Sequence, residues 1–324
     1  MRFGPVPLDE AEGTILAHSI ALPGGRLRKG TRLGLEEVGR LRDAGIERPI
    51  VAVLGSGDVD ENEVAGRVAA LLEVDGIAAR APFTGRANLH ATGPGLLTVD
   101  AAKIDALNRD VPAVTVATLP QMQRVTEGMM VATVKVIHFA VDMAANGAAV
   151  SAVAGALRLH RPIIERADLI VTRLPGAPDK IAAVTERLGR LGVDHTLTEV
   201  PHETDALRRA LEAGRAPLRL ILTASATSDP ADIGPAAVLA AGGRVDRFGM
   251  PVDPGNLLFL GALGSDHVIG LPGCARSPAL NGADWVLERI VCGLPVTSED
   301  IAGMGVGGLL GEIPTRPQPR DPKA

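Results

Sequence analysis

Small hydroxylated residues crowd one stretch of this 324-residue chain, Thr223-Ala224-Ser225-Ala226-Thr227-Ser228-Asp229-Pro230-Ala231-Asp232. The stretch follows an apolar run, Leu218 to Thr223, and leads into a helical pattern that opens at Asp232. Hydroxyls and the free backbone N–H groups of a helix start suit a phosphate. They also suit plain N-capping, and spacing alone favours the cap. Three further segments hold residues of similar use. Arg173-Leu174-Pro175-Gly176 ends one strand pattern. Asp253-Pro254-Gly255-Asn256 is a turn signature. Leu271-Pro272-Gly273-Cys274-Ala275-Arg276-Ser277-Pro278 ends another strand pattern. There Gly273 permits a nest-like backbone, Arg276 offers a guanidinium fork and Ser277 a hydroxyl. One such loop is weak evidence. Four loops on one sheet edge would converge on a single crevice.

The elements that must position these loops alternate. Strand patterns at Leu169 to Thr172, Thr196 to Val200 and Leu218 to Thr223 are separated by helical patterns at 179–191 and 203–213. A helix over 232–241, ended by Gly242-Gly243, precedes strands at 245–250, 257–260 and 267–269, and a helix over 281–291 holds the single Trp. Such alternation predicts a mostly parallel sheet covered by helices, a three-layer α/β domain over 166–297. In such sheets ligands sit beyond the carboxyl ends of the strands. The first part, 1–165, predicts a mixed α+β domain. It has helices over 34–44 and 59–72, a strand over 49–54, a β-rich insertion from Ile77 to Val141, a small-residue helix over 143–157, and a strand or connector over 159–165. Residues 298–324, rich in Gly and Pro, predict a tail.

Composition removes several classes. Aromatics are 2% of the chain, with no Tyr, and the net charge is -5, so a nucleic-acid groove of stacking rings and cations is excluded. Two cysteines, Cys274 and Cys292, make neither a zinc site nor a disulfide framework, and the seven dispersed histidines show no metal-ligand spacing. No metal site is expected from these residues. The most apolar long stretch, 143–157, is too short and too weakly hydrophobic for a bilayer, and the N-terminus lacks a signal-peptide core, so a cytoplasmic protein is expected. Gly303-Met304-Gly305-Val306-Gly307-Gly308 fits G-x-G-x-x-G, but Pro314 comes soon after. It is expected to be a flexible turn and not a dinucleotide site.

Taken in order, Thr223 to Asp232 matches a T-G-G-x-S-x-G-x-x-D loop. Gly249-Met250-Pro251-Val252-Asp253-Pro254-Gly255-Asn256 matches G-x-x-x-x-P-G-x-P, and Leu271 to Ser277 matches L-P-G-N-P-x-S. On these segments the stretch from Ala167 to Leu294 resembles the molybdopterin-binding domain of molybdenum-cofactor biosynthesis proteins, including the molybdenum insertases. Gly25 to Leu33, Leu41 to Ile46 and Val51 to Val53 resemble the insertase segment before that domain. Phe83 to Leu89, Cys274 to Pro278 and Asp300 to Gly308 bring the chain closer to the N-terminal half of bacterial fusions of a molybdopterin-binding part with a nucleotidyltransferase. Two departures stand out: Ala224-Ser225 replaces the insertase glycine pair, and Cys274 replaces an asparagine.

The resemblance implies a protein that binds molybdopterin, its nucleotide adduct or the molybdenum cofactor during maturation and delivery. Ser225, Thr227, Ser228, Asp253, Gly255, Asn256, Gly273, Cys274, Arg276 and Ser277 would hold the pterin and its phosphate. Asp232 would be the catalytic carboxylate if the chain turned its ligand over. The alternative it implies is an insertase-like enzyme acting on a nucleotide adduct with magnesium. Implied partners are the pterin itself, a nucleotidyltransferase or molybdenum hydroxylase, and a second copy of the chain, with no nucleic acid or membrane. The first domain is expected to build a dimer face or close over the ligand.

Overall fold

Six strands of the C-terminal half align in one sheet, in the order 194–201, 166–173, 218–222, 266–270, 259–263, 244–248. The computed structural model describes residues 1–176 and 180–311. The first four strands of that order are parallel and the last two are antiparallel to their neighbours. Leu218–Leu222 is buried along its whole length, as a central strand with both faces covered must be. Its one charged residue, Arg219, pairs with Asp266 at 2.7 Å and donates to the carbonyls of Leu211 and Gly214. Helices Ala182–Arg190 and Gly282–Val291 contribute to one core, which contains Val184, Leu188, Val286, Leu287 and Ile290. Helices Thr204–Ala213 and Ile233–Ala240 contribute to another, with Leu207, Leu211, Ala237 and Val238 around Phe259. A sheet between two helical layers is the α/β architecture expected of alternating patterns.

The chain divides into two compact units. One comprises Met1–Gly93 and Leu97–Leu159, the other Pro94–Leu96 and the chain from His160 onward. In the first unit a three-stranded antiparallel sheet, 2–5, 50–53 and 15–16, packs with helix Leu35–Asp43 around Leu16, Leu33, Leu41 and Val51. A four-stranded antiparallel sheet, 114–118, 130–136, 86–91 and 77–79, lies against helix Glu61–Leu72. Asp60 caps that helix by accepting from the Asn62 amide at 2.9 Å. The alternation is clear in Arg86–Ala91, where Ala87, Leu89 and Ala91 are buried and the residues between are not.

The insertion is not wholly β. Ala101–Asp110 is a helix, capped by Asp100, with Ile104 and Leu107 as its buried pair. Two apolar anchors three residues apart are too few to show a helical period among so many short strands. The small-residue helix stops at Ser151, and Leu157–His160 is the strand that comes next. The expected tail also differs. Ser298–Ala302 is helical, and Ile301 and Met304 are buried in the second unit's core. Part of the glycine run packs closely: a Cβ on Gly308 would lie 2.5 Å from the Pro251 carbonyl oxygen. The Gly308 carbonyl accepts from the Asp253 amide at 2.8 Å, so these residues pair with the 253 turn. The expected tail from 312 onward lies outside the described residues.

Gly255 sits at φ +140°, and a Cβ there would lie 2.6 Å from the Gly282 nitrogen. Backbone can make that approach only without a side chain. Gly255→Ala should therefore destabilise the second unit by about 1–3 kcal/mol. Gly273 has nothing within 4 Å of its Cβ position, so Gly273→Ala should change stability by less than about 0.5 kcal/mol. Urea unfolding followed by Trp285 fluorescence measures both, because that single Trp lies in the second unit.

Candidate functional site

The loops that leave the carboxyl ends of the parallel strands meet one another through side-chain and backbone bonds. Arg276, after the 266–270 strand, donates from Nη2 to the Thr223 carbonyl at 2.9 Å, after the 218–222 strand. Thr172, near the end of the 166–173 strand, accepts the Ala224 amide at 2.8 Å. His202, just past the 194–201 strand, is 3.0 Å from Ser225 Oγ. The sheet order explains this convergence, because the four strands are direct neighbours and run the same way.

Within the hydroxyl-rich loop the groups fall into two sets. Thr223 donates from Oγ1 to the Ser225 carbonyl at 2.7 Å and lies 3.1 Å from Thr227 Oγ1. With the Thr223 proton so placed, Thr227 is the donor of that second bond. Thr223 and Thr227 are both buried, 5% exposed, and hold the loop's shape. Ser225, Ala226 and Ser228 flank them: Ser225 and Ser228 lie on the solvent side of the loop. Asp232 caps helix Ile233–Ala240: Oδ1 accepts the Ile233 amide at 2.7 Å and Oδ2 the Ser228 amide at 3.3 Å. Asp229 accepts the Ala231 amide at 2.7 Å. Both carboxylates are thus engaged with backbone N–H groups of their own loop.

A cavity of about 300 Å³ opens between this loop and its neighbours. Ala226, Asp253, Gly255, Asn256, Gly273 and Cys274 are among its walls. All of these but Ala226 are residues that the sequence singled out, and they come from separate segments of the chain. A larger groove, about 640 Å³, is lined by Lys180, Ile181, Glu186, Leu197, Glu199 and Arg276 among others. Arg276 is held by the Thr223 carbonyl, but its Nε is buried and has no partner among the described residues. Burial pushes its guanidinium below the ordinary arginine range, and the charge of Arg173 beside it adds to the shift. A desolvated cation with a like-charged neighbour gains from an anion. Arg173 itself pairs with Glu199. Ser277 is exposed, and its Oγ accepts the Ala279 amide at 3.3 Å. Cys274 is half-buried and forms no disulfide, whereas burial pushes the Cys292 thiol up to about 12. Gly273 does not form a nest: no residue from 273 to 276 has a left-handed φ, and the segment is a 3-10 turn.

Arg187 fixes the last loop. It is 7% exposed and uses its whole fork. Nε bonds Asp284, Nη1 the carbonyls of Ala183 and Ala275, and Nη2 those of Ser277 and Ala279. The two carbonyls that flank Arg276 are therefore held by one guanidinium. Arg187 and His202 were not among the residues expected at this site. The signal for the first is an arginine inside an apolar stripe, at 183, 184, 187 and 188. The signal for the second is a histidine at the carboxyl end of a parallel strand.

Residues 5–53 match a family described as a domain of unknown function (DUF8806), which covers a minor part of the chain. No curated protein matches the chain in sequence. Among solved structures, the chain is similar to a molybdenum cofactor biosynthesis protein from Pyrococcus furiosus. Identity is 13% and the TM-score 0.24, over 93% of this chain and 65% of that one. It is also similar to a molybdopterin biosynthesis MoeA protein from Pyrococcus horikosii, with 13% identity and a TM-score of 0.29, over 94% of this chain and 76% of that one. The chain thus spans just under two thirds of the first of these. TM-scores this low do not define a shared fold. Among the described residues no group of three or more His, Cys, Asp or Glu could hold a metal ion, and no helix is long and apolar enough to cross a membrane.

Arg187→Lys keeps the charge but loses the fork, leaving carbonyls and Asp284 short of donors. The second unit should lose at least about 1–3 kcal/mol, the scale for a buried acceptor left without its donor. Urea unfolding followed at Trp285 measures this, and a loss below about 1 kcal/mol would reduce Arg187 to a surface-like contact.

Proposed function

We propose that the second unit binds a pterin phosphate of the molybdopterin class and acts as a carrier in molybdenum-cofactor maturation. The observation that carries this is the 300 Å³ cavity walled by the 226, 253–257 and 272–274 segments, which are the segments of the motif resemblance. The cavity walls are backbone and small side chains with one carboxylate, Asp253, suited to the N–H edge of a pterin. Arg276 lines the 640 Å³ groove and not the cavity itself, but it bonds the Thr223 carbonyl in the loop that carries Ala226, and with its unpartnered Nε it is the cation suited to the phosphate. Molybdopterin, its nucleotide adduct and the molybdenum cofactor all share these groups.

A carrier is favoured over an insertase-like enzyme by the state of the acids. Asp232 and Asp229 accept backbone amides of their own loop, which is what caps do. Were the chain an enzyme on a nucleotide adduct, Asp232 would be the acid/base or magnesium-positioning group, and the released nucleotide would report it. Delivery to a nucleotidyltransferase or a molybdenum hydroxylase, action in the cytoplasm and self-association remain part of this proposal.

Anaerobic titration of the full chain with molybdopterin should give saturable binding, and Arg276→Ala should weaken it about ten- to a hundredfold, the loss of a charge-assisted contact. Equal affinity would make Arg276 a structural tie to Thr223 only. Asp232→Asn keeps the cap, so it should preserve folding and change affinity by less than about tenfold, with no nucleotide released from an adenylylated pterin by either protein. Clear release by the wild type, abolished in Asp232→Asn, would place the chain among enzymes instead.

A further inference from the structure

Three side chains from three strand ends form a hydrogen-bonded chain at the carboxyl edge of the sheet. His202 is in the middle: its Nδ1 is 2.7 Å from Thr172 Oγ1, and its Nε2 is 3.0 Å from Ser225 Oγ. A histidine beside a serine is either a base that activates a nucleophile or a donor that holds the hydroxyl still. The protons decide between these. Thr172 is 1% exposed, and its oxygen already accepts the Ala224 amide at 2.8 Å. Among the described residues, His202 Nδ1 is the acceptor within reach of the Thr172 hydroxyl proton. A buried hydroxyl without an acceptor is costly, so Thr172 donates to Nδ1.

The neutral ring then carries its proton on Nε2, and that N–H donates to Ser225 Oγ. His202 in this tautomer is not a base toward Ser225. It fixes the serine oxygen from one side. The Ser225 proton has no acceptor among the described residues, and the side chain is exposed. Arg276 holds the carbonyl of Thr223, two positions before Ser225. The loop therefore presents an oriented hydroxyl donor close in sequence to the carbonyl that a partly desolvated cation holds.

We propose that His202 is a positioning residue, which holds the Ser225 hydroxyl as a hydrogen-bond donor to an anionic oxygen of a phosphate-class ligand. This deepens the pterin-phosphate site and rests on it for the ligand's identity. The role belongs to this chain's own residues, because Ser225 stands where the resembling insertases have a glycine. A glycine there would leave His202 with nothing to hold.

The test uses the full chain with inorganic phosphate as the probe. Long-range nitrogen–proton NMR of the ring reads the tautomer directly, and the expected result is a proton on Nε2. Titration with phosphate should move the Ser225 and Ala226 amide signals saturably. His202→Leu should weaken that response about three- to tenfold, the scale of one lost hydrogen bond. His202→Gln, which can accept from Thr172 and donate to Ser225, should restore it, and it guards against a folding defect in the leucine variant. A proton on Nδ1, covalent labelling of Ser225 by a fluorophosphonate, equal phosphate affinity in all three proteins, or no phosphate response would each overturn the proposal. Where phosphate gives no response, molybdopterin titration of the same sample separates the two failures. Saturable binding means the pterin site stands with its phosphate held elsewhere, and no binding means the site itself is gone.

Discussion

The second unit depends on one buried guanidinium. Arg187 joins helix Ala182–Arg190, from which it projects, to the carbonyls of Ala275, Ser277 and Ala279 and to Asp284 near the start of helix Gly282–Val291. Asp284 accepts the Asn281 amide at 2.8 Å as well, so the same carboxylate caps its own helix. A charge taken out of water is costly unless each donor is met, and here each is. The loop from 273 to 281 has only a 3-10 turn of its own to hold it. Without the fork, nothing regular would keep Arg276 beside Thr223 or Gly273 and Cys274 at the cavity wall.

The hydroxyl-rich loop, of which Ala226 lines the cavity, is built differently. Where the resembling insertases have two glycines, this chain has Ala224 and Ser225, and each has acquired a partner. The Ala224 amide bonds Thr172, and the Ser225 side chain bonds His202. Side chains at that place narrow the approach of a ligand to the backbone. They also engage one backbone N–H, that of Ala224, and add a hydroxyl held by His202. The loop is thereby stiffened by Thr223, Thr227, Thr172 and His202, all engaged with one another or with its backbone. A stiff, pre-shaped wall suits holding a ligand, since less ordering is needed on binding.

Much of this was legible in the sequence. Helices Glu61–Leu72 and Gly282–Val291 fall within the spans 59–72 and 281–291 that their patterns marked, and the alternating apolar runs marked the parallel strands. Of the cavity walls, 253–256 was visible as a turn signature and the segments around 226 and 272–274 as loops of small residues, whereas Leu257 was read as the start of a strand. What was hidden depends on distance in sequence. Arg187 and Asp284 lie 97 positions apart, and nothing local marks their pairing. His202 and Ser225 meet across two strands for the same reason. The helix Ala101–Asp110 was hidden because only Ile104 and Leu107 are buried in it. The burial of Ile301 and Met304 was hidden by the Gly- and Pro-rich composition around them.

A pterin phosphate at the carboxyl edge of the second unit's sheet is the claim on which the rest turns. The most direct measurement is mass spectrometry of small molecules released from the chain after expression in a molybdate-replete cell that makes the cofactor, with purification under exclusion of oxygen. The expected result is a pterin bearing a phosphate, recovered in amounts that approach one per chain and reduced when Arg276 is replaced. Protein that is folded, as reported by Trp285, yet releases no pterin from such cells would contradict it.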